Sequence, residues 1–102
     1  LRPTPQIPDN WVPPKVSFLI AAYNEAAVIS DKLHNTLGLD SLGAEVEIIV
    51  VSDGSSDDTA EIARSVEDPR ITVLELGRSG KAAALGKGLE RCTGDVMALR
   101  HI

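Results

Sequence analysis

The sequence predicts an α/β domain built on a parallel sheet, and three observations carry that expectation. Two apolar runs stop abruptly at polar residues and pass into helical patterns: Val16-Ser17-Phe18-Leu19-Ile20-Ala21-Ala22-Tyr23-Asn24-Glu25 and Glu47-Ile48-Ile49-Val50-Val51-Ser52-Asp53-Gly54-Ser55-Ser56-Asp57. Continuous apolar runs, rather than alternating ones, mark strands buried on both faces. The strand and helix patterns then alternate as β-α-β-α-β-α-β, which gives right-handed crossovers and helices on both faces of the sheet. Third, only three of 102 residues are aromatic (Trp11, Phe18 and Tyr23), so the core is Ala, Val, Ile and Leu, as suits buried parallel strands.

Residues 1–14 hold five of the six prolines and read as a Pro-rich linker or surface arm, with Trp11 and Val12 tacking it onto the fold. Residues 15–102 read as one α/β domain. Val16 to Ala22 forms the first strand. Asn24 is expected to cap the next helix, Glu25 suits its first turn, and Ile29, Leu33 and Leu37 form its apolar stripe. Gly38 is a plausible stop. Glu45 to Ser52 is the second strand. Asp58-Thr59-Ala60-Glu61 reads as a capping box, and Thr59, Ile62, Ala63 and Val66 form the inner face of a helix that Asp68-Pro69 ends. Ile71 to Leu76 is the third strand, and Gly77-Arg78-Ser79-Gly80 is a turn. A third helix spans about Lys81 to Cys92, with Leu85, Leu89 and Cys92 facing inward. Gly86 and Gly88 weaken that helix and mark close packing on the sheet. Asp95 to Leu99 begins a fourth strand.

Composition excludes several functions. A net charge of -5 with no basic cluster argues against a nucleic-acid partner. Cys92 is the only cysteine, so there is no internal disulfide, and its place in a helical pattern makes it a small core residue. No apolar run is long enough to span a membrane, and no signal peptide is expected in these residues. A chain opening at Leu1 is expected to come from a longer polypeptide.

The candidate functional residues lie where the strands stop. Glu25 and Asp53 are acids beside turn-forming residues and suit a ligand with amide and hydroxyl donors, such as a base and a ribose. Asp53 stands at a strand end before Gly54, which favours a ligand contact over a turn role. Tyr23 either stacks on a base or covers the strand end. Gly77 to Lys81 fails the phosphate-loop pattern, because Glu75 and Ala82 stand where Gly and Ser or Thr are needed. Lys81, at a helix start after a glycine turn, is either an anion contact or a solvated lysine. Asp53, Asp57 and Asp58 could hold a metal, but Asp57 and Asp58 read as ordinary first-turn residues. His34 reads as a surface residue, and His101 has no spaced metal partner.

With those residues in view, the chain resembles the N-terminal half of a family 2 glycosyltransferase, an inverting sugar transferase of the A-type glycosyltransferase fold. Val16 to Glu25 is similar to that family's first strand and "P-A-Y-N-E" turn. Val50 to Asp58 is similar to "V-D-D-G-S-x-D-x-T", Gly80 to Leu85 to "G-K-x-x-A-L-N", and Thr93 to Val96 to the lead into the fourth strand. The resemblance implies a Rossmann-like three-layer sandwich with a mostly parallel sheet in strand order 3-2-1-4. It implies a nucleotide-diphosphate-sugar donor, a UDP-sugar, held by Ala22, Tyr23, Asn24, Glu25, Asp53, Gly54, Ser55, Gly80 and Lys81. Asp53 would accept a hydrogen bond from uracil, and Lys81 would approach the diphosphate.

The departures are as informative. Ala21 replaces the family's Pro, Ser52 its first Asp, and Gly86 its Asn. Where the family carries a metal-binding "D-x-D" pair after the fourth strand, the corresponding stretch reads Leu99-Arg100-His101-Ile102, where the given sequence stops, and neither acid is present in it. A full-length parent is therefore expected to use a divalent metal, Mn or Mg, and this chain none. The chain is expected to be a truncated donor-binding domain, inactive by itself and with no catalytic residue of its own. It is expected to form a homo-oligomer through its exposed fourth strand. Localisation is open, with the cytoplasm or the cytoplasmic face of a membrane expected, and membrane association of the parent is left open. The alternative is a non-enzymatic α/β interaction or regulatory module. Receiver-like and flavodoxin-like folds would need a fifth strand, and a sugar nucleotidyltransferase would need a glycine-rich loop after the first strand.

Overall fold

In a computed structural model of the chain, residues 8–39 and 43–102 are described. Seven elements follow in order: β1 (Val16–Ala22), α1 (Ile29–Leu37), β2 (Val46–Asp53), α2 (Thr59–Ser65), β3 (Ile71–Leu76), α3 (Lys81–Arg91) and β4 (Val96–Leu99). The four strands pair in parallel in the order β3-β2-β1-β4. That is the expected α/β sheet and the expected strand order. The chain builds outward through β2 and β3, then returns across β1 to place β4 on its other side.

The central strands are apolar on both faces because both faces are covered. Successive side chains of a strand point to opposite sides. Phe18, Ile20 and Ala22 of β1 and Ile48 and Val50 of β2 pack with Ile29 and Leu33 of α1 and Ala63 of α2. Leu19, Ile49 and Val51 point the other way and pack with Ala84 of α3. Two helices on one face and one on the other make the three layers. β4 is an edge strand, and Val96, Met97 and Leu99 are exposed.

Four local expectations are corrected. First, α1 starts at Ile29 with Val28 as its uncapped N-terminal residue, so Asn24 is not its cap. Asn24 instead adopts a left-handed conformation (φ 52) and bonds to a neighbouring loop. Second, Asp58 makes no capping bond for α2. Asp57 does this, accepting from the Thr59 amide at 3.1 Å while also bonding the Thr59 hydroxyl. α2 ends at Ser65, before Asp68-Pro69. Third, Leu89 is 45% exposed, and α3 touches the sheet through Ala84 and Gly88 instead. The reason is proximity. A Cβ at Gly88 would collide with Leu19 Cδ1 and lie 2.8 Å from Val51 Cγ2. Leu85 and Cys92 pack beside this contact as expected. Fourth, Trp11 and Val12 are 44% and 80% exposed and do not tack the arm down. Residues 1–7 of the arm lie outside the described residues.

One tether was not anticipated. At the amino end of the sheet, Glu47 Oε2 accepts bonds from Ser17 Oγ (2.5 Å), Thr93 N (2.5 Å) and Thr93 Oγ1 (2.9 Å). Ser17 Oγ accepts in turn from the Gly94 amide at 2.8 Å, and Lys15 Nζ donates to Thr93 Oγ1 at 2.6 Å. Burial pushes the Glu47 carboxyl up, but the Ser17 and Thr93 bonds outweigh it and hold the group below its ordinary range. This network fixes the start of β4 beside β1.

The two glycines of α3 predict opposite outcomes. At Gly88 an added methyl has no space, so Gly88→Ala should destabilise by roughly 1–3 kcal/mol. Nothing lies within 4 Å of a Cβ at Gly86. Gly86→Ala should therefore stabilise by roughly 0.5–1 kcal/mol through helix propensity. Thermal melts of the two variants check this. Equal and same-sign shifts would contradict the packing described.

Candidate functional site

Parallel strands put all four strand ends, and the loops that follow them, at one edge of the sheet. Register aligns them: Ala22 of β1 pairs with Ser52 of β2, and Asp53 pairs with Leu76 of β3. At this edge a cleft of about 300 Å³ is lined by Ala21, Ala22, Tyr23, Glu25, Asp53, Arg78, Lys81, Arg100, His101 and Ile102. It opens at the point where strand order reverses, between β1 and β4, which is where open α/β sheets bind ligands.

The loops after β1 and β2 are stitched together. Asn24 Oδ1 accepts from Ser56 N (2.8 Å) and Ser56 Oγ (3.3 Å), and Asn24 N donates to Ser55 Oγ (3.1 Å). Glu25 N donates to Thr59 Oγ1 (2.9 Å), and Ala26 N donates to Asp57 Oδ2 (3.2 Å). Three successive amides of one loop are thus satisfied by side chains of the other. A short polar side chain that tolerates φ > 0 is needed at 24, and Asn provides it. The Thr59 hydroxyl, more than the burial that opposes it, keeps the Asp57 carboxyl below its ordinary range.

The second junction centres on Asp53, which is 2% exposed. Its Oδ1 accepts from Ser79 N and Ser79 Oγ, both at 2.8 Å. Its Oδ2 accepts from Gly80 N at 2.9 Å and Arg78 Nη1 at 2.6 Å. These four donors occupy the roughly four lone-pair sites of a carboxylate. The Ser79 amide foremost, then the Ser79 hydroxyl, Gly80 amide and Arg78 charge, outweigh burial and hold the Asp53 carboxyl below its ordinary value. Two left-handed glycines make the approach possible. Gly54 has φ 66, and a Cβ there would lie 2.5 Å from Arg78 N and 2.7 Å from its Cα. Gly80, at φ 94, turns its amide onto Asp53 and opens α3.

Arg78 links two residues that the sequence reading chose separately. Its guanidinium carbon lies 3.8 Å from the Tyr23 ring centroid while its Nη1 bonds Asp53. A flat cation over an aromatic face is favourable.

Of the expected nucleotide-binding residues, Ala22, Tyr23, Glu25, Asp53 and Lys81 line the cleft. Asn24, Gly54, Ser55 and Gly80 are not part of its lining and hold the loops. Arg78, Ser79 and Arg100 were missed. Arg78 and Ser79 lay inside the Gly77–Gly80 turn, which was read for its glycines alone. Cys92 donates its thiol to Gly88 O, and burial pushes its pKa up, as befits a core residue. The His34 ring bonds the Ser30 carbonyl on its own helix.

The divalent metal that the resemblance implies for a full-length parent has no fitting donor set among the described residues. No group of three or more His, Cys, Asp or Glu is placed to hold one. Hard divalent cations take several oxygen ligands. The cleft offers Glu25 and an already saturated Asp53, facing Arg78, Lys81 and Arg100.

Acid should loosen the ties that the depressed carboxyls hold. The carboxyls of Glu47, Asp53 and Asp57 are all depressed in the folded state, and that of Asp68 falls to about 2 through its Arg70 bonds. Depressed folded values mean that stability is full above the unfolded values near 4 and is lost as pH falls through the folded ones. The melting temperature should be flat from about pH 7 to 5 and fall steeply below about pH 4. In Asp53→Asn that acid fall should be shallower. A melting temperature that rises on acidification would overturn the assignment.

Residues 17–99 match the sequence model of the family described as "Glycosyl transferase family 2". The chain is 42% identical over 81 residues to the poly-beta-1,6-N-acetyl-D-glucosamine synthase of Staphylococcus epidermidis, a match covering 76% of this chain and 19% of that protein. Among solved structures it resembles the mannosyltransferase PcManGT from Pyrobaculum calidifontis in complex with GDP-Man and Mn2+. That likeness has a TM-score of 0.81 at 31% identity, covering 98% of this chain and 30% of the other. The glucosyl-3-phosphoglycerate synthase of Mycobacterium tuberculosis, in complex with uridine-diphosphate, shares the fold with a TM-score of 0.63 at 22% identity, covering 90% of this chain and 38% of that one. The chain thus spans about a fifth of the length of the curated relatives it matches. Sheet order, strand-end cleft and sequence agree: this chain belongs to glycosyl transferase family 2 and has the A-type glycosyltransferase fold.

Proposed function

We propose that the cleft binds the nucleotide of a UDP-sugar, as the donor half of an inverting glycosyltransferase. The observation that carries this reading is the position of Arg78. Its guanidinium is planar, lies over Tyr23, and gives one N–H to Asp53 Oδ2. A uracil ring offers the same two features, a flat face and a single ring N–H. When the base enters, it takes the place of Arg78 on both partners. The other three bonds to Asp53 come from Ser79 and Gly80 and stay in place. One acceptor position is freed, which suits uracil. Guanine presents two adjacent donors and would need a second.

A guanine nucleotide is nonetheless the second reading, because the mannosyltransferase structure at 31% identity holds GDP-Man. Lys81, at the first position of α3, then stands near the diphosphate, where the helix start also favours an anion. In the full transfer an acceptor hydroxyl, deprotonated by a carboxylate, attacks the anomeric carbon, and the bond to the nucleoside diphosphate breaks. No residue of this chain is assigned as that base. We propose that residues 1–102 bind donor without transferring sugar alone.

Titration calorimetry with UDP, GDP and uridine tests this. UDP should bind more tightly than GDP. Tyr23→Ala should weaken UDP by about tenfold, the worth of one base–aromatic stack. Arg78→Ala should bind uridine at least as well as the original chain, since the competitor is gone. Absence of UDP binding would favour the regulatory-module alternative, and a Tyr23→Ala variant of unchanged affinity would overturn the stacking of the base on Tyr23.

A further inference from the structure

We infer that the cleft takes the diphosphate of its ligand on side-chain cations, with Arg100 as the principal contact, and not through a divalent metal. The inference rests on the nucleotide reading for the class of ligand, and on separate observations for the residue.

Arg100 follows β4 directly, and its amide donates to Leu19 O at 3.0 Å, so its backbone is fixed against β1 at the cleft. Its Nε is buried and has no hydrogen-bond partner among the described residues. A buried N–H donor without an acceptor is costly, and native structures rarely leave one. An acceptor brought by a ligand would satisfy it.

The charges around it point the same way. Arg64, Arg70, Arg78 and Lys87 each have a carboxylate within 4.0 Å. Among the described residues, Lys15, Lys32, Lys81, Arg91 and Arg100 have none in that range, and of these Lys81 and Arg100 line the cleft. Two unpaired cations thus share one opening in a chain of net charge -5. Of the two acids that line the cleft, Asp53 is already paired with Arg78, which leaves Glu25 alone against Lys81 and Arg100. A metal ion would meet three cationic side chains and too few oxygens. A diphosphate would meet a guanidinium whose fork matches two phosphate oxygens, with Lys81 adding a point charge.

The test is titration of the whole chain with inorganic pyrophosphate, and separately with UDP, in EDTA and in Mn2+. Pyrophosphate should bind in EDTA, with no gain from Mn2+. Arg100→Gln should weaken it about tenfold or more, as loss of a charge-assisted contact does, and Arg100→Lys should recover part. Because Arg100 Nε has no partner in the free chain, Arg100→Gln should melt no lower than the original. If pyrophosphate binds only with Mn2+, does not bind, or binds Arg100→Gln equally well, the inference falls. UDP binding that depends on Tyr23 but not on Arg100 would leave the nucleotide reading standing and overturn this one. Arg100-dependent pyrophosphate binding without any uridine binding would do the reverse.

Discussion

The interaction on which the site depends is the buried carboxylate of Asp53 and its four donors. β2 carries Asp53 to the edge of the sheet, and the loop between β3 and α3 folds back onto it. That loop brings Arg78 over Tyr23, turns Gly80 into the start of α3, and places Lys81 at the cleft. A nearly inaccessible carboxylate is tolerable only when each lone pair is used, and here the backbone of residues 79 and 80 supplies the bonds that do not depend on side-chain rotamers. The left-handed Gly54 allows the two backbones to approach within a distance that no side chain would permit. One acid and one glycine therefore fix a loop that carries two of the three cleft cations.

Much of this was legible in the sequence, for a physical reason. The central strands are covered on both faces, so their apolar runs stand out and end sharply, and all four strand positions and the order 3-2-1-4 follow the expectation. Tyr23, Glu25, Asp53 and Lys81 were marked because they sit at those ends, and the cleft brings them together. What escaped were tertiary substitutions of one partner for another. Asn24 has the residue type of a helix cap, but Ser56 from the next loop competes for its side chain and wins. Asp58 fits a capping box, yet Asp57 is the residue placed to serve both Thr59 and Ala26. Leu89 has the right spacing for a core face, but the helix lies too close to the sheet there for anything larger than Gly88 to be central. Periodicity cannot report how closely a helix approaches.

The two ends of the sheet do different work. At the amino end, Glu47 ties β1, β2 and the lead into β4 through Ser17, Thr93 and Gly94. This anchors the edge strand, whose exposed residues give it little core to hold it. At the carboxyl end the same strand delivers Arg100. There Arg100 lines the cleft with Arg78 and Lys81, which the loop held by Asp53 supplies.

Amide hydrogen exchange at Ser79 and Gly80 measures the central interaction directly. Neither residue lies in a strand, and Lys81 opens the helix after them, so protection of these two amides depends on Asp53. The account predicts that both exchange slowly in the original chain, and at rates approaching those of an open loop in Asp53→Ala, while amides within β2 such as Val50 keep their protection. Fast exchange of Ser79 and Gly80 in the original chain, or slow exchange that survives Asp53→Ala, would contradict it.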